Sequence, residues 1–417
     1  DISSSTKTGY AFDPDFTRFE NNIEETPQRV EWIHSQLILS GVKNGLSLIT
    51  PYTDPMEYIK KIHTTEHIQI IDSIKATSGL QLSMGQVAQT AVGYILGAVE
   101  AVCEKKVRNA FCCVRPPGHH ATNDGTKGYC CYANVVLAAL FARERYNIRK
   151  ILIIDWDFHQ GNGTHSLICG DNDILFIDTF FPEMYTTDCN DFAPEKPDYS
   201  FPKGSRRMAI RMPCGSSNDD FVRVFESQLM SAAKRFQPEL VLISSGFDLK
   251  IGDFCFNVTA KGVSKLTRIV RHIADTYAEG KLVSILEGGY SDSLDVQNWN
   301  DTAETYYGLA QCAENHVKTL ITGNEYPETP YFRKALKVSI HKTFNPNTNQ
   351  RLINDVNGKD GPWRIIITDY RGRVVRKIYS TNDICISVKS LNLANGYYYI
   401  KIAGKTDSFY QSFSVVK

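Results

Sequence analysis

The sequence predicts an α/β protein with a mostly parallel central sheet, followed by a small all-β sandwich. Three observations carry that reading. Through residue 345, short apolar runs alternate with longer stretches of helical period. The polar residues suited to chemistry stand just after those runs, where open α/β sheets bind ligands. Past the cluster Phe344-Asn345-Pro346-Asn347-Thr348-Asn349, helical periodicity stops and β-rich runs take over. The expected domains are therefore 1–345 and 346–417.

Helical stretches are expected at Thr26–Ser40, Gly85–Glu104, Tyr132–Tyr146, Asp219–Phe236 and Lys261–Ala278. Strands are expected at Ala110–Val114, Ile151–Ile154, Ile174–Ile177, Leu240–Ser244 and Leu282–Leu286. Alternation of this kind favours helices packed on both faces of a parallel sheet. Beyond the linker, Trp363–Thr368, Val374–Tyr379, Ile384–Val388, Tyr397–Ile402 and Phe409–Val416 read as short strands. Turns at Tyr370-Arg371-Gly372-Arg373 and Ala394-Asn395-Gly396 separate some of them, which suggests a sandwich.

Bulk composition excludes some classes. The formal net charge is zero, so nothing points to nucleic acid. Mean hydropathy is -0.27, as in a water-soluble globular chain. No apolar run approaches the roughly 18–20 residues a membrane span needs. The chain opens on Asp1 without a signal-peptide pattern, which reads as a processed form. Its 11 cysteines include the adjacent pairs Cys112-Cys113 and Cys130-Cys131, but no CxxC, so they read as buried thiols. Residues 348–417 hold 11 Lys/Arg and 5 Asp/Glu, a net of +6, and the remainder carries −6.

Four segments at strand ends carry the chemistry. In Ile151-Leu152-Ile153-Ile154-Asp155-Trp156-Asp157-Phe158-His159, a carboxylate and an imidazole two residues apart leave the sheet side by side. Such a pair suits a divalent metal, zinc among them. Arg115-Pro116-Pro117-Gly118-His119-His120 places tandem histidines after a stiff turn, where each can exchange a proton once a partner sets its tautomer. Ser244-Ser245-Gly246-Phe247-Asp248 ends a strand on another carboxylate. Leu286-Glu287-Gly288-Gly289-Tyr290 offers glycines for close backbone approach and a tyrosine beyond them.

Together and in this order, these segments resemble the zinc-dependent histone deacetylase and acetylpolyamine amidohydrolase family, over about residues 8–340. Thr8-Gly9-Tyr10, Ile62-His63-Thr64 and Gly128-Tyr129-Cys130-Cys131-Tyr132-Ala133-Asn134 add to the likeness. The resemblance implies the arginase-deacetylase fold and one Zn²⁺ on Asp157, His159 and Asp248. It implies His120 as general base, His119 as its electrostatic partner, Asp155 and Asn162 orienting those histidines, and Tyr290 donating to the oxyanion. It implies a K⁺ site at Asp155, Asp157, His159, Asp178 and Thr179. It also implies a substrate tunnel lined by Gly128, Tyr129, Tyr185 and Gly289. The implied reaction hydrolyses N-acyl amides. Acyl-lysine in peptides or proteins is the first expected substrate; small acylated amines such as acetylpolyamines, or a non-catalytic acyl-lysine binder, are the alternatives.

Several positions depart from neighbouring patterns. Two-metal ureohydrolases of the same fold need a further Asp where Gly161 stands, and another where Lys250 stands. Gln160 replaces the second His of the major deacetylase classes and resembles class IV and bacterial members. Asp155-Trp156-Asp157 and Leu286–Tyr290 look like class II. Residues 249–258 lack the Glu of polyamine specialists, and 73–99 hold no acidic residue to serve as a rim carboxylate.

Residues 348–417 resemble the C-terminal sorting domain of the type IX secretion system. Ile366–Val375, Leu391–Ile402 and Phe413–Lys417 carry that likeness. It implies engagement of the secretion machinery, and a secreted or cell-surface protein of a Gram-negative bacterium. The alternatives are a carbohydrate- or protein-binding sandwich, and a periplasmic or cytoplasmic location.

Overall fold

The computed structural model describes residues 7–19, 24–75, 82–182, 206–291 and 308–325, and short stretches between 343 and 415. Inter-residue contacts divide the chain into two units. The first comprises Asp1–His34, Gly45–Asn300 and Tyr306–Glu328; the second comprises Ser35–Asn44, Asp301–Thr305 and Thr329–Lys417.

The first unit is built on eight strands: β1 (Thr8–Ala11), β2 (Leu46–Leu48), β3 (Asn109–Cys112), β4 (Ile151–Asp155), β5 (Ile174–Phe180), β6 (Arg207–Arg211), β7 (Leu240–Ser245) and β8 (Leu282–Leu286). They lie in the order β2-β1-β3-β8-β7-β4-β5-β6, and every pairing is parallel. β3, β4, β5, β7 and β8 are buried at every position. Continuous apolar runs are what a parallel sheet covered on both faces requires. Helix Met84–Cys103 packs on β1, β3 and β8; Asn134–Tyr146 and Ala260–Tyr277 pack on β7. Met84–Cys103 starts at a capping box in which Ser83 and Gln86 satisfy each other's backbone N–H groups. Such a cap is worth about 1 kcal/mol.

The five expected core strands are present, within a few residues at their ends. β1, β2 and β6 lie outside the expected set, because they are short or partly exposed and lack a clear period. The stretch expected as one helix at Asp219–Phe236 is Asn218–Val224 and Met230–Phe236 joined by a π-turn at Phe225–Leu229.

In the second unit, β11 (Trp363–Asp369), β12 (Val374–Ser380), β14 (Gly396–Ala403) and β15 (Ser408–Val415) pair antiparallel in the order β12-β11-β14-β15, with β9 (Thr343–Phe344) parallel to β15. β10 (Arg351–Ile353) pairs with β13 (Ile386–Ser387). Residues 343–344 thus pair with C-terminal strands, although they precede the expected boundary at 345. Ile365 and Ile367 alternate into the buried side of β11.

Candidate active site

The site lies beyond the carboxyl ends of β4, β7 and β8. β4 ends at Asp155, and the tight turn that follows brings back Asp157 and His159. β7 leads into Asp248. His159 Nδ1 lies 3.1 Å from Asp157 Oδ1 and 3.0 Å from Asp248 Oδ2. One ligand atom from each residue falls within 4.8 Å of the others. All three are buried or nearly so. Two buried carboxylates this close cannot both be charged without positive charge between them. Burial, then repulsion from Asp157, pushes Asp248 up to about 7. Burial also works against Asp157, yet His119 and His159 hold it below the usual carboxylate range. For His159, burial is overridden by both carboxylates, and its pKa is raised to about 10. Donors about 2 Å from a common ion stand 3–4 Å apart, so this set fits a divalent cation. Gly288 is needed beside it: a Cβ there would lie 2.6 Å from Asp157 Oδ2. Its own N–H donates to that oxygen at 2.8 Å.

The tandem histidines stand alongside, with ring centroids 4.0 Å apart. His119 Nδ1 donates to Asp155 Oδ2 at 3.0 Å, and His120 Nδ1 to Asn162 Oδ1 at 2.6 Å. An acceptor at each Nδ1 puts the proton there in the neutral ring and leaves Nε2 as the basic nitrogen. Burial lowers both rings. At His119, Asp157 and Asp155 outweigh it, and the pKa rises well above the ordinary value. At His120, His119 adds to the burial effect, and the pKa falls well below it. Equivalent neighbours in sequence are thus driven in opposite directions, His119 toward the protonated form and His120 toward the neutral one.

Tyr290 is held from two sides. The Arg29 guanidinium lies 4.9 Å from its ring centroid and donates to the Gly289 and Glu287 carbonyls. Arg29 shares the buried carboxylate Glu25 with Arg115. On the other side, Asp253 accepts the N–H of Tyr290 at 2.9 Å and of Ser291 at 3.0 Å. Lys250 Nζ bonds the same carboxylate at 2.9 Å and Ser291 Oγ at 2.7 Å. Lys250, which stands where ureohydrolases carry a ligand, is here the buried counter-ion of a loop brace. Burial, then Asp248, keeps the Tyr290 phenol well above its ordinary pKa, so it remains a proton donor. Glu287 braces the histidine turn, accepting the N–H groups of Gly118 at 2.6 Å and His119 at 3.1 Å, with Ser244 Oγ on its other oxygen.

The remaining expected residues fall as follows. Asp178 sits opposite Asp155 in the β4–β5 register, and Thr179 Oγ1 donates to the Asp155 carbonyl at 3.3 Å. Both Asp178 oxygens are buried; the Gly161 backbone approaches the carboxylate, and the Arg207 guanidinium is 3.7 Å away. Tyr129 presents its ring 6.1 Å from that of Tyr290, and its hydroxyl donates to Glu24. Gly128 has φ +52, and its backbone rests on the His120 ring, where a side chain would clash. Gly289 has φ +114. Tyr185 lies outside the described residues. Phe254 was not anticipated: its ring is 4.9 Å from that of His159 and 6.3 Å from that of Tyr290, and the residue is 41% exposed. Arg29, Asp253 and the bracing role of Glu287 were also missed. The i, i+4 spacing of Glu25 and Arg29 was the one local signal for them; the rest are contacts across loops.

Comparison with known proteins adds an independent line. The Histone deacetylase domain model matches residues 23–306. The chain is 30% identical over 296 residues to Histone deacetylase 18 of Arabidopsis thaliana, covering 64% of this chain and 42% of that protein. It is 30% identical over 292 residues to Polyamine deacetylase HDAC10 of Danio rerio, again 64% and 42%. A bacterial relative, Histone deacetylase-like amidohydrolase of Pseudomonas aeruginosa, is 27% identical over 285 residues, covering 64% of this chain and 73% of that one. The chain therefore spans less than half the length of the two eukaryotic relatives. The crystal structure of the HDA15 HD domain superposes with a TM-score of 0.61 at 25% identity, covering 77% of this chain and 91% of that one.

Proposed function

The chain belongs to the histone deacetylase family, and from that premise we propose that it hydrolyses the amide of an acylated amine, with acyl-lysine in a peptide or protein as the first substrate. The observation that carries this reading is the meeting of Asp157, His159 and Asp248 beside tandem histidines, each held at Nδ1 by an acceptor. Asp157, His159 and Asp248 would hold a single Zn²⁺, which supplies a Lewis acid for the acyl carbonyl and for water. Asp178, a buried carboxylate beside the Asp155 strand end, suits a structural K⁺.

The chain's own residues divide the remaining work. His120 Nε2, neutral and fixed by Asn162, takes a proton from the attacking water. His119, cationic and fixed by Asp155, stabilises negative charge and guides the proton toward the leaving nitrogen. Tyr290 O–H donates to the carbonyl oxygen as it gains charge. Asp253 and Arg29 restrict the loop that carries it. Tyr129 and Phe254 offer aromatic faces to an aliphatic chain.

A polyamine reading draws on the likeness to the Danio rerio protein. Against it, Phe254 rather than a carboxylate stands beside the centre, and 249–258 contain no Glu. Zinc-loaded protein is to be assayed against acetyl-lysine peptides, longer acyl-lysines and acetylpolyamines. No turnover of any of them refutes the enzyme reading in favour of a binder; turnover of acetylpolyamines alone overturns the substrate order.

We further propose that residues 348–417 act as a type IX sorting domain, which makes the protein secreted or surface-bound in a Gram-negative bacterium. The support is the strand pattern and the motifs in 348–417. Recovery of the protein solely from the cytoplasm of its producer would refute export.

A further inference from the structure

Two thiols meet beside the mouth of the site. Cys214 is exposed and Cys255 half-buried. Cys214 Sγ lies 3.6 Å from the Cys255 carbonyl oxygen. The adjoining backbone fixes the approach. Gly215 N–H donates to the Cys255 carbonyl at 2.7 Å, and Asn257 N–H to the Ser216 carbonyl at 2.8 Å. A parallel bridge joins Ser217 to Asn257. The two segments therefore run side by side as neighbouring strands do, about 4.8 Å apart. Strands at that spacing can meet the Cα window of roughly 4.4–6.8 Å that a disulfide needs. Burial, then the Cys214 side chain, pushes the Cys255 thiol up to about 11. Cys112, Cys113, Cys130, Cys131 and Cys312 are buried, away from dissolved oxidants.

The segment that Cys255 belongs to matters to the site. Phe254 precedes it and faces His159 and Tyr290. Asp253 holds the Tyr290 backbone. Beyond the pairing with 214–217, this loop is tied by the Lys250 brace, by Asp253 on the Tyr290 and Ser291 N–H groups, by Ile251 N–H on the Val258 carbonyl, and by Phe254 stacked on Phe158.

We propose that Cys214 and Cys255 are a redox-sensitive pair whose disulfide tethers the loop carrying Asp253 and Phe254. A small disulfide such as oxidised glutathione is the oxidant. The Cys214 thiolate attacks one of its sulfurs and expels the first small thiolate. The Cys255 thiolate then attacks the mixed disulfide at Cys214 and expels the second. The protein S–S bond replaces the small molecule's S–S bond. The two protein thiol protons end on the two released thiols. A thiol reductant reverses both steps.

The test uses the full chain equilibrated with oxidised glutathione, then mapped by mass spectrometry without reduction. The expected product is a cross-linked peptide pair joining Cys214 to Cys255, absent in Cys214→Ser and Cys255→Ser. Cys255→Ser retains one glutathione on Cys214. Amide hydrogen exchange across residues 249–257 slows about tenfold on oxidation of the wild type and is unchanged in Cys214→Ser. Two outcomes overturn the proposal. One is a disulfide that maps elsewhere, as to Cys189, or none at all. The other is exchange that slows equally in Cys214→Ser. Neither readout depends on turnover, so failure of the enzymatic reading leaves this one separately decidable.

Discussion

Two buried polar clusters lie near the strands β7 and β8, and they are opposites. One is the Asp157–His159–Asp248 centre. The other joins Thr267 Oγ1 to His316 Nδ1 at 2.7 Å, His316 Nε2 to Ser284 Oγ at 2.8 Å, and Ser284 Oγ to Ser245 Oγ at 3.0 Å. Alternation along β7 reaches both systems: Ser244 Oγ bonds Glu287 behind the histidine turn, and Ser245 Oγ bonds the Ile285 carbonyl. The His316 cluster is neutral, and both ring nitrogens have partners, so burial alone lowers that imidazole to about 3. The centre holds two carboxylates around one imidazole and demands a cation. A self-satisfied cluster stabilises a fold; one that needs an outside charge binds something.

Removing a donor from the centre has the largest expected effect. Asp157→Asn or His159→Ala should lose the single equivalent of Zn²⁺ and about 10³-fold or more in turnover, read by metal analysis and kcat. Full activity in protein stripped of metal would sink this view of the centre. Next come the groups that handle charge and protons. Tyr290→Phe and His120→Ala should each lower kcat about 10²- to 10³-fold with a smaller change in KM. Asp253→Asn weakens the brace without touching the donor set. Its kcat should fall about tenfold, and the double variant with Tyr290→Phe should be no worse than Tyr290→Phe alone. Additive losses would mean that Asp253 acts elsewhere.

The last effect concerns stability rather than turnover, at His316 and two other buried histidines. His316 is lowered to about 3, and His63 and His165 to about 4, in each case by burial first. Between those values and the ordinary 6.5, the unfolded chain binds protons that the folded chain does not. Stability from this source is whole above about pH 6.5 and falls with pH below it, by about 1.4 kcal/mol per histidine per pH unit. Urea unfolding at pH 7 and pH 5 should show the loss, and His316→Gln should lessen its slope. An unchanged slope would mean that His316 takes up its proton in the folded state.

The reaction centre was largely readable in one dimension, because each donor follows a strand whose apolar run announces it. Asp157 and His159 are two residues apart, but β4 ends at Asp155, so the turn after the strand pairs them rather than the strand's own period. Asp248 and Tyr290 were readable through their motifs. The braces were not. Asp253 holds Tyr290 across 37 positions, and Arg29 reaches Gly289 across 260. No local period encodes contacts of that range.

The sequence by itself determined the alternation of helices and strands, the placing of Asp157, His159 and Asp248 just beyond strand ends, and the absence of carboxylates at Gly161 and Lys250. Those are properties of residue type and short spacing. Only the tertiary structure decided that His119 and His120 are shifted in opposite directions, that Phe254 faces the centre, and that Lys250 and Asp253 brace Tyr290. Each of these depends on burial and on which distant groups share a few ångströms, and both are set when the strands assemble into one sheet.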